Sequence, residues 1–272
     1  MFVTRDVSDN GIYAVNFFAL GIPHTVIIDD FLPSKSWDGT TYYTEYAKVG
    51  PDDSLFVPLL EKAFSKYHGN YAHTSGGWYW RAARTLTGAP WDLHYHENYT
   101  TDSLWDFLLQ KDNEKDMIQT HTSGASDEYF NSLGLVELHA YTTLGVVELS
   151  TGDKLVKMRN PWASEHYHAA WCDSCSEWNN ISAADKELAG FTNANDGVFF
   201  MPIQLYYDTF DLTSVNHDVS DWYNDYFLML GDNTQSDNPG DTYYCGSLCT
   251  KHTLTLTSEV EQKVWVSAHT WD

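Results

Sequence analysis

Basic side chains are scarce: 15 Lys and Arg stand against 38 Asp and Glu, a formal charge of −23 over 272 residues. A chain this anionic is not built to track a phosphate backbone, and its field repels anionic membranes while favouring a basic partner. Long apolar runs are also missing. No window approaches the roughly 18–20 uninterrupted apolar residues of a membrane span. The amino terminus, MFVTRDVSDNG, lacks the basic region and apolar core of a secretory signal. Cysteines number only four; without an export signal they predict reduced thiols in an intracellular, cytoplasmic setting. Gly (17) and Pro (8) are modest, whereas aromatics reach 15%. That is the composition of a packed globular protein and not of a disordered acidic tail.

No repeat period or low-complexity tract is present. Residues 11–33 read as two strands joined by a turn at Gly21-Ile22-Pro23, from the alternation of Tyr13, Val15 and Phe17 and the β-branched run Thr25 to Ile28. Leu55, Leu59, Leu60, Ala63, Phe64 and Tyr67 fall at helical spacing and predict a helix over 55–67, stopped by His68-Gly69-Asn70. Further helices are predicted over 78–86 and 102–111, with a polar loop over 112–132. Strands follow over 134–149, 154–162 and from 196, where the tail to 210 fits strand or short helix. Beyond about 213 the pattern is all-β.

His139, in the strand pattern Leu138-His139-Ala140-Tyr141, precedes Asn160-Pro161-Trp162 by about twenty residues. Adjacent antiparallel strands would set the imidazole beside the amide. An Asn that accepts from one ring N–H fixes the tautomer and leaves the other nitrogen to serve a thiol, which is the His–Asn part of a Cys–His–Asn triad. Trp162 is placed to shield that hydrogen bond. Ordinary strand residues are the competing reading of the same spacing.

GLVELHAY, LVKMRNPW, WCDSCSEW and DGVFFM resemble, in that order, the second half of the calpain cysteine-protease domain. Upstream, GIYAVNFFALGIPHTVIIDDFLP is similar to the family's opening hairpin, SLFVPLLEKAFSKYHGNYAHTSGG to its helix, and TLTGAP to its Thr-Gly-Gly-like position. The resemblance covers about residues 11–212. It implies that His139 and Asn160 match the catalytic histidine and asparagine, and Trp162 the adjacent tryptophan. The family's cysteine sits in a preceding helical subdomain, within a Gln-x-x-x-Gly-Asp-Cys-Trp motif that this sequence does not contain, and Met1 falls almost where the second subdomain starts. None of the four cysteines is placed to substitute.

The resemblance also implies a calcium site, with Asp173 and Asp196 matching ligands. His166 stands where a glutamate is expected and Val198 where another acid is expected, so calcium binding is expected to be weakened. Cys172-x-x-Cys175 with Cys245-x-x-x-Cys249, or with His166 and His168, has zinc-like spacing, against reduced thiols as the plainer reading. His94 and His96 would share a strand face but lack a third ligand. Asp29-Asp30 are expected to set a turn, and Trp78, Tyr79 and Trp80 to pack.

The expected fold is α+β: the β-rich half of a papain-like (calpain) protease core with helices on one side, followed by an incomplete β-sandwich. Residues 1–212 form the protease second subdomain and 213–272 the partial sandwich, which weakly resembles the start of the β-sandwich after the calpain core. Unfinished strands at Asp272 argue for a partner or a larger parent. The leading expectation is a non-catalytic scaffold or interaction subunit with no cofactor, in a larger intracellular assembly; a cytoskeletal or ciliary location would suit it, although no residue points there. The alternative is the His/Asn half of a split or incompletely described calcium-dependent cysteine endopeptidase, its cysteine on another segment or chain.

Overall fold

The computed structural model describes residues 1–19, 21–50 and 52–220. These fall in one compact unit, Met1–Asp221. Strands β1 (Ile12–Ala19) and β2 (Ile22–Asp29) form a hairpin that closes at the Ala19–Ile22 pair. Gly21, at φ 79°, supplies the left-handed turn there. Ile22 and Pro23, expected in the turn, are already strand. Tyr13, Val15, Phe17, Val26 and Ile28 project to one face of the hairpin and pack with Leu59 and Ala63 of helix α1 (Phe56–Tyr67). A two-residue pair, β3 (Ser34–Lys35) with β4 (Tyr43–Thr44), lies between them in sequence. Asp29 caps its turn by accepting from the Phe31 N–H at 2.9 Å and pairs with Lys62.

Helix α2 (Tyr79–Thr87) ends where Gly88 turns left-handed. Strand β5 (Trp91–Tyr95) leads to helix α3 (Thr101–Asn113), whose start is fixed by a capping box between Thr100 and Ser103. Strands β6 (Met117–His121), β7 (Ala140–Glu148) and β8 (Lys154–Arg159) follow. Next come helix α4 (Ala183–Ala189), strand β9 (Val198–Pro202), helix α5 (Ile203–Thr209) and strand β10 (Leu212–Asn216). Six strands form one antiparallel sheet in the order β5-β10-β6-β7-β8-β9.

Several sequence expectations are corrected. The supposed loop 112–132 contains β6. Strand β7 begins only at Ala140, because Leu138, at φ 47°, breaks the extended run. The segment 196–210 divides after Pro202 into β9 and a helix. A boundary at 212/213 would cut β10, which is buried between β5 and β6 and therefore belongs to the first unit. The sandwich expected after it, with Cys245 and Cys249, lies outside the described residues.

Helices do not sit on one side. Strands β8 and β9 carry apolar residues at consecutive positions, so both faces of the sheet need cover. Val156, Met158, Phe199 and Met201 face α3 and α5, packing with Leu104, Leu108 and Tyr206. Leu155 and Phe200 point the other way, against Trp171, Trp178 and Ala189. Asn216 and His121 on that second face bond to the Trp80 carbonyl and the Tyr79 hydroxyl of α2. Trp80 is buried, and half-exposed Trp78 stacks on it at 4.6 Å, so this aromatic group packs as expected.

His94 and His96 are held by hydroxyls. His94 Nδ1 lies 2.7 Å from the Tyr99 hydroxyl, and His96 Nε2 lies 2.9 Å from Thr213 Oγ1. Burial holds the His96 pKa below its ordinary 6.5, although the Asp211 charge and the Tyr207 and Phe210 carbonyls pull upward. The unfolded chain therefore takes up a proton that the fold refuses. This contribution to stability is present above about pH 6.5 and is lost as pH falls. The urea midpoint should drop between pH 7.5 and 5.5, and His96→Gln should shrink the drop. An unchanged drop in that variant would assign the sensitivity to other groups.

Candidate active site

His139 and Asn160 are brought together by the β7–β8 pairing. Asn160 follows the last residue of β8 and His139 precedes the first of β7, in a register that pairs Thr142 with Arg159. His139 Nε2 lies 2.9 Å from Asn160 Oδ1. The amide orientation is set by its surroundings: Oδ1 also accepts from the Trp162 N–H at 3.1 Å, and Nδ2 donates to the Ser164 carbonyl at 2.9 Å. With Oδ1 accepting, Nε2 must carry the proton, which leaves Nδ1 as the basic nitrogen. No described residue hydrogen-bonds Nδ1. Asn160 is 2% exposed and Trp162 is 48% exposed. The indole lies 4.5 Å from the imidazole, tilted by 54°, and covers one side of the ring.

The backbone around the pair is tightly held. Thr122, just beyond β6, receives the His139 N–H on its Oγ1 at 3.1 Å and gives its own N–H to the His139 carbonyl at 3.0 Å. Tyr141 sets its ring edge-on to the imidazole at 5.1 Å, and its hydroxyl accepts from the Val136 N–H. On the other side Gly197, at φ 86°, gives its carbonyl to the Asn160 N–H at 2.8 Å. Thr122, Ser164, Glu165 and Gly197 do not stand out in the sequence as site residues; only Glu165 leaves a trace, as an acid one place before the position where one is expected.

A Cβ on Gly197 would come within 2.7 Å of the Asn160 carbonyl and 2.9 Å of Ala163 Cα, both backbone. Gly197→Ala is therefore expected to cost about 2 kcal/mol, from the left-handed φ and the clash together. Thermal unfolding should fall by about 4–8 °C. An unchanged Tm would show that the Asn160 turn can give way.

The structure overturns the reduced-thiol expectation at one pair. Cys172 and Cys175 are joined in a disulfide with Cα atoms 5.0 Å apart. Neither is then a nucleophile or a zinc ligand, and no free cysteine occurs among the described residues.

Calcium fits poorly. Both Asp173 carboxylate oxygens are buried from solvent. Burial first, then the charges of Glu165 and Asp196, push its pKa up to about 6, against a smaller opposing pull from the Ala194 amide. Three acids thus gather, but Glu165 Oε2 is taken by the Gly197 N–H at 2.6 Å and Asp196 Oδ1 by the Val198 N–H at 2.9 Å. His166 packs its ring on Phe130, and Val198 brings no oxygen from its side chain. Among the described residues no three His, Cys, Asp or Glu side chains are placed to hold a metal ion. Calcium needs six to eight converging oxygens, and this donor set does not supply them.

The model of the calpain family of cysteine proteases matches residues 2–217. The chain belongs to the calpain family. Similar proteins include a calpain-type cysteine protease of Zea mays, 32% identical over 209 residues that make up 74% of this chain and 9% of that protein. Calpain-14 of Homo sapiens is 32% identical over 200 residues, 71% of this chain and 28% of its own length. A calpain of Schistosoma mansoni is 28% identical over 212 residues, 76% of this chain and 28% of that protein. The chain thus spans a small part of the calpains it matches. No helix among the described residues is long and apolar enough to cross a membrane.

Proposed function

We propose that this chain supplies the histidine–asparagine half of a calpain-type thiol endopeptidase site, on the β-rich side of a papain-like cleft. The observation that supports it is the 2.9 Å bond from His139 Nε2 to Asn160 Oδ1, with Nδ1 unpartnered. Both described cysteines are bonded to each other, so in this reading the thiol comes from outside the described residues, on another segment or a partner chain.

His139 Nδ1 would take the thiol proton as the thiolate attacks a peptide carbonyl, and Asn160 would hold the imidazolium in line. The imidazolium then returns the proton to the leaving amine as the tetrahedral intermediate collapses and the scissile C–N bond breaks, which leaves the acyl group on sulfur. Water, deprotonated by the same nitrogen, releases the acid and restores the thiol. No step runs through a metal. The acidic balance of the chain suits basic partners or substrates.

The scaffold reading keeps one observation in its favour, the lack of a free cysteine among the described residues. Labelling the native complex with an irreversible cysteine-protease probe, followed by mass spectrometry of the tagged chain, separates the two. A tag on a thiol outside the described residues, dependent on His139, supports the protease half. An assembled complex that takes no tag on any chain leaves the scaffold.

A further inference from the structure

The β6–β7 ladder pairs Thr120 with Tyr141 and His121 with Ala140, so Thr122 and His139 stand as its next pair. In a regular antiparallel ladder such a pair exchanges two backbone bonds. One is made here, from the Thr122 N–H to the His139 carbonyl at 3.0 Å. The His139 N–H reaches the Thr122 side chain instead, with Oγ1 accepting at 3.1 Å. The same hydroxyl lies 2.6 Å from the Val136 carbonyl and 3.3 Å from that of His139. A hydroxyl has one proton to give, and the shorter path takes it to Val136.

The Val136 carbonyl and the His139 N–H are the two groups whose bond ordinarily closes a four-residue turn. Thr122 Oγ1, 2% exposed at the residue level, serves both. The turn needs that hold. Leu138 inside it has φ 47°, a left-handed conformation that is unfavourable for a bulky side chain. Leu138 is also 61% exposed, so packing does little to offset the strain. At the other end the Val136 N–H donates to the Tyr141 hydroxyl at 2.8 Å. Both main-chain polar groups of buried Val136 are thus held by side-chain hydroxyls.

We propose that Thr122 is a positioning residue for His139: its hydroxyl fastens the strained turn 136–139 and so holds the imidazole where Nε2 meets Asn160 Oδ1. The position calls for a single short group that donates and accepts at once. Serine has such a group, whereas valine has the shape of threonine without it. In Thr122→Val the Val136 carbonyl and the His139 N–H both lose their partner. Leu138 is then free to leave the left-handed region, and the ring that follows it swings off Asn160.

The proposal deepens the protease reading and rests on it for its effect on chemistry. Thr122 exchanges no proton with substrate; it acts on the backbone that carries the base. Its hold on the ring is measurable without any thiol, because the Nε2 proton reports the bond to Asn160 directly.

The test uses the full chain with 15N-labelled histidine, and the assembled protein for probe labelling. The His139 Nε2 proton should give a slowly exchanging imidazole signal, identified by its loss in His139→Ala. Thr122→Val should speed that exchange roughly tenfold or more, and slow probe labelling by about tenfold to a hundredfold. Thr122→Ser should keep both close to the parent. Leu138→Gly, a change at an exposed side chain, should restore much of the signal in the Thr122→Val background, because glycine stays left-handed without help. Unchanged exchange and labelling in Thr122→Val would overturn the proposal and leave the protease reading standing. Equal losses in Thr122→Ser and Thr122→Val would overturn it too, as would a double variant no better than Thr122→Val. Labelling that ignores His139 would remove the protease reading, while the imidazole signal would still decide whether Thr122 holds the ring.

Discussion

His139→Ala should abolish thiol labelling by an active-site probe in the assembled protein while leaving the fold in place. The side chain is half-buried at the sheet end, and its backbone partners, the Thr122 N–H and Oγ1, do not depend on the ring. Loss of a positioned acid–base group typically costs about 10²–10⁴ in rate. Asn160→Ala should also be severe, within about 10²–10⁴, because the ring loses the acceptor that fixes its tautomer. It carries a structural penalty besides, since the amide also holds the Trp162 N–H and the Ser164 carbonyl. The two effects separate by measuring labelling rate and Tm on each variant. Unchanged labelling in His139→Ala would remove the protease reading.

Phe199→Ala should be the most damaging single change to stability. Phe199 is fully buried, stacks on Tyr167 at 4.9 Å and meets Tyr141 edge-on at 6.0 Å. Truncating such a ring costs about 3–5 kcal/mol, a fall in Tm of roughly 6–20 °C for a unit of this size. The damage should reach the site, because Tyr141 steadies the turn that carries His139. Lowered labelling at temperatures where the variant is still folded would show that link. A Tm within about 2 °C of the parent would mean that neighbours collapse into the space, against the close packing seen.

The strongly periodic elements are legible in the amino-acid sequence itself. Leu59 and Ala63 announce α1, and the apolar extended segment of β8 together with the order of the motif blocks places Asn160 near His139. The elements that sequence reasoning misses have physical reasons for being hidden. Strand β6, MIQTH, sets the polar His121 against Tyr79 and Trp78 at the start of α2, so a strand covered on both faces looks like a polar loop. Helix α4 is short, and only Ser182, which caps it, and Gly190, which stops it, mark its ends. Thr122 acts through its hydroxyl and backbone on a neighbour seventeen residues away, a relation that no spacing rule encodes. The disulfide is hidden because a C-x-x-C pair suits metal, thiols or a crosslink equally until the turn between them is known.

Strand β10 has a consequence for how this molecule is made. It is the last described strand in sequence, yet it fills the gap between β5 and β6. On a ribosome, both neighbours must therefore wait for a stretch more than ninety residues downstream of β6, with their paired edges open and buried Thr120 of β6 solvated. Loop closure over such distances is slow compared with local helix formation. The hairpin with α1 can mature early, but the sheet that aligns His139 with Asn160 seals only when residues 212–216 arrive. The unit should therefore depend, during synthesis, on whatever shelters β5 and β6 from other chains.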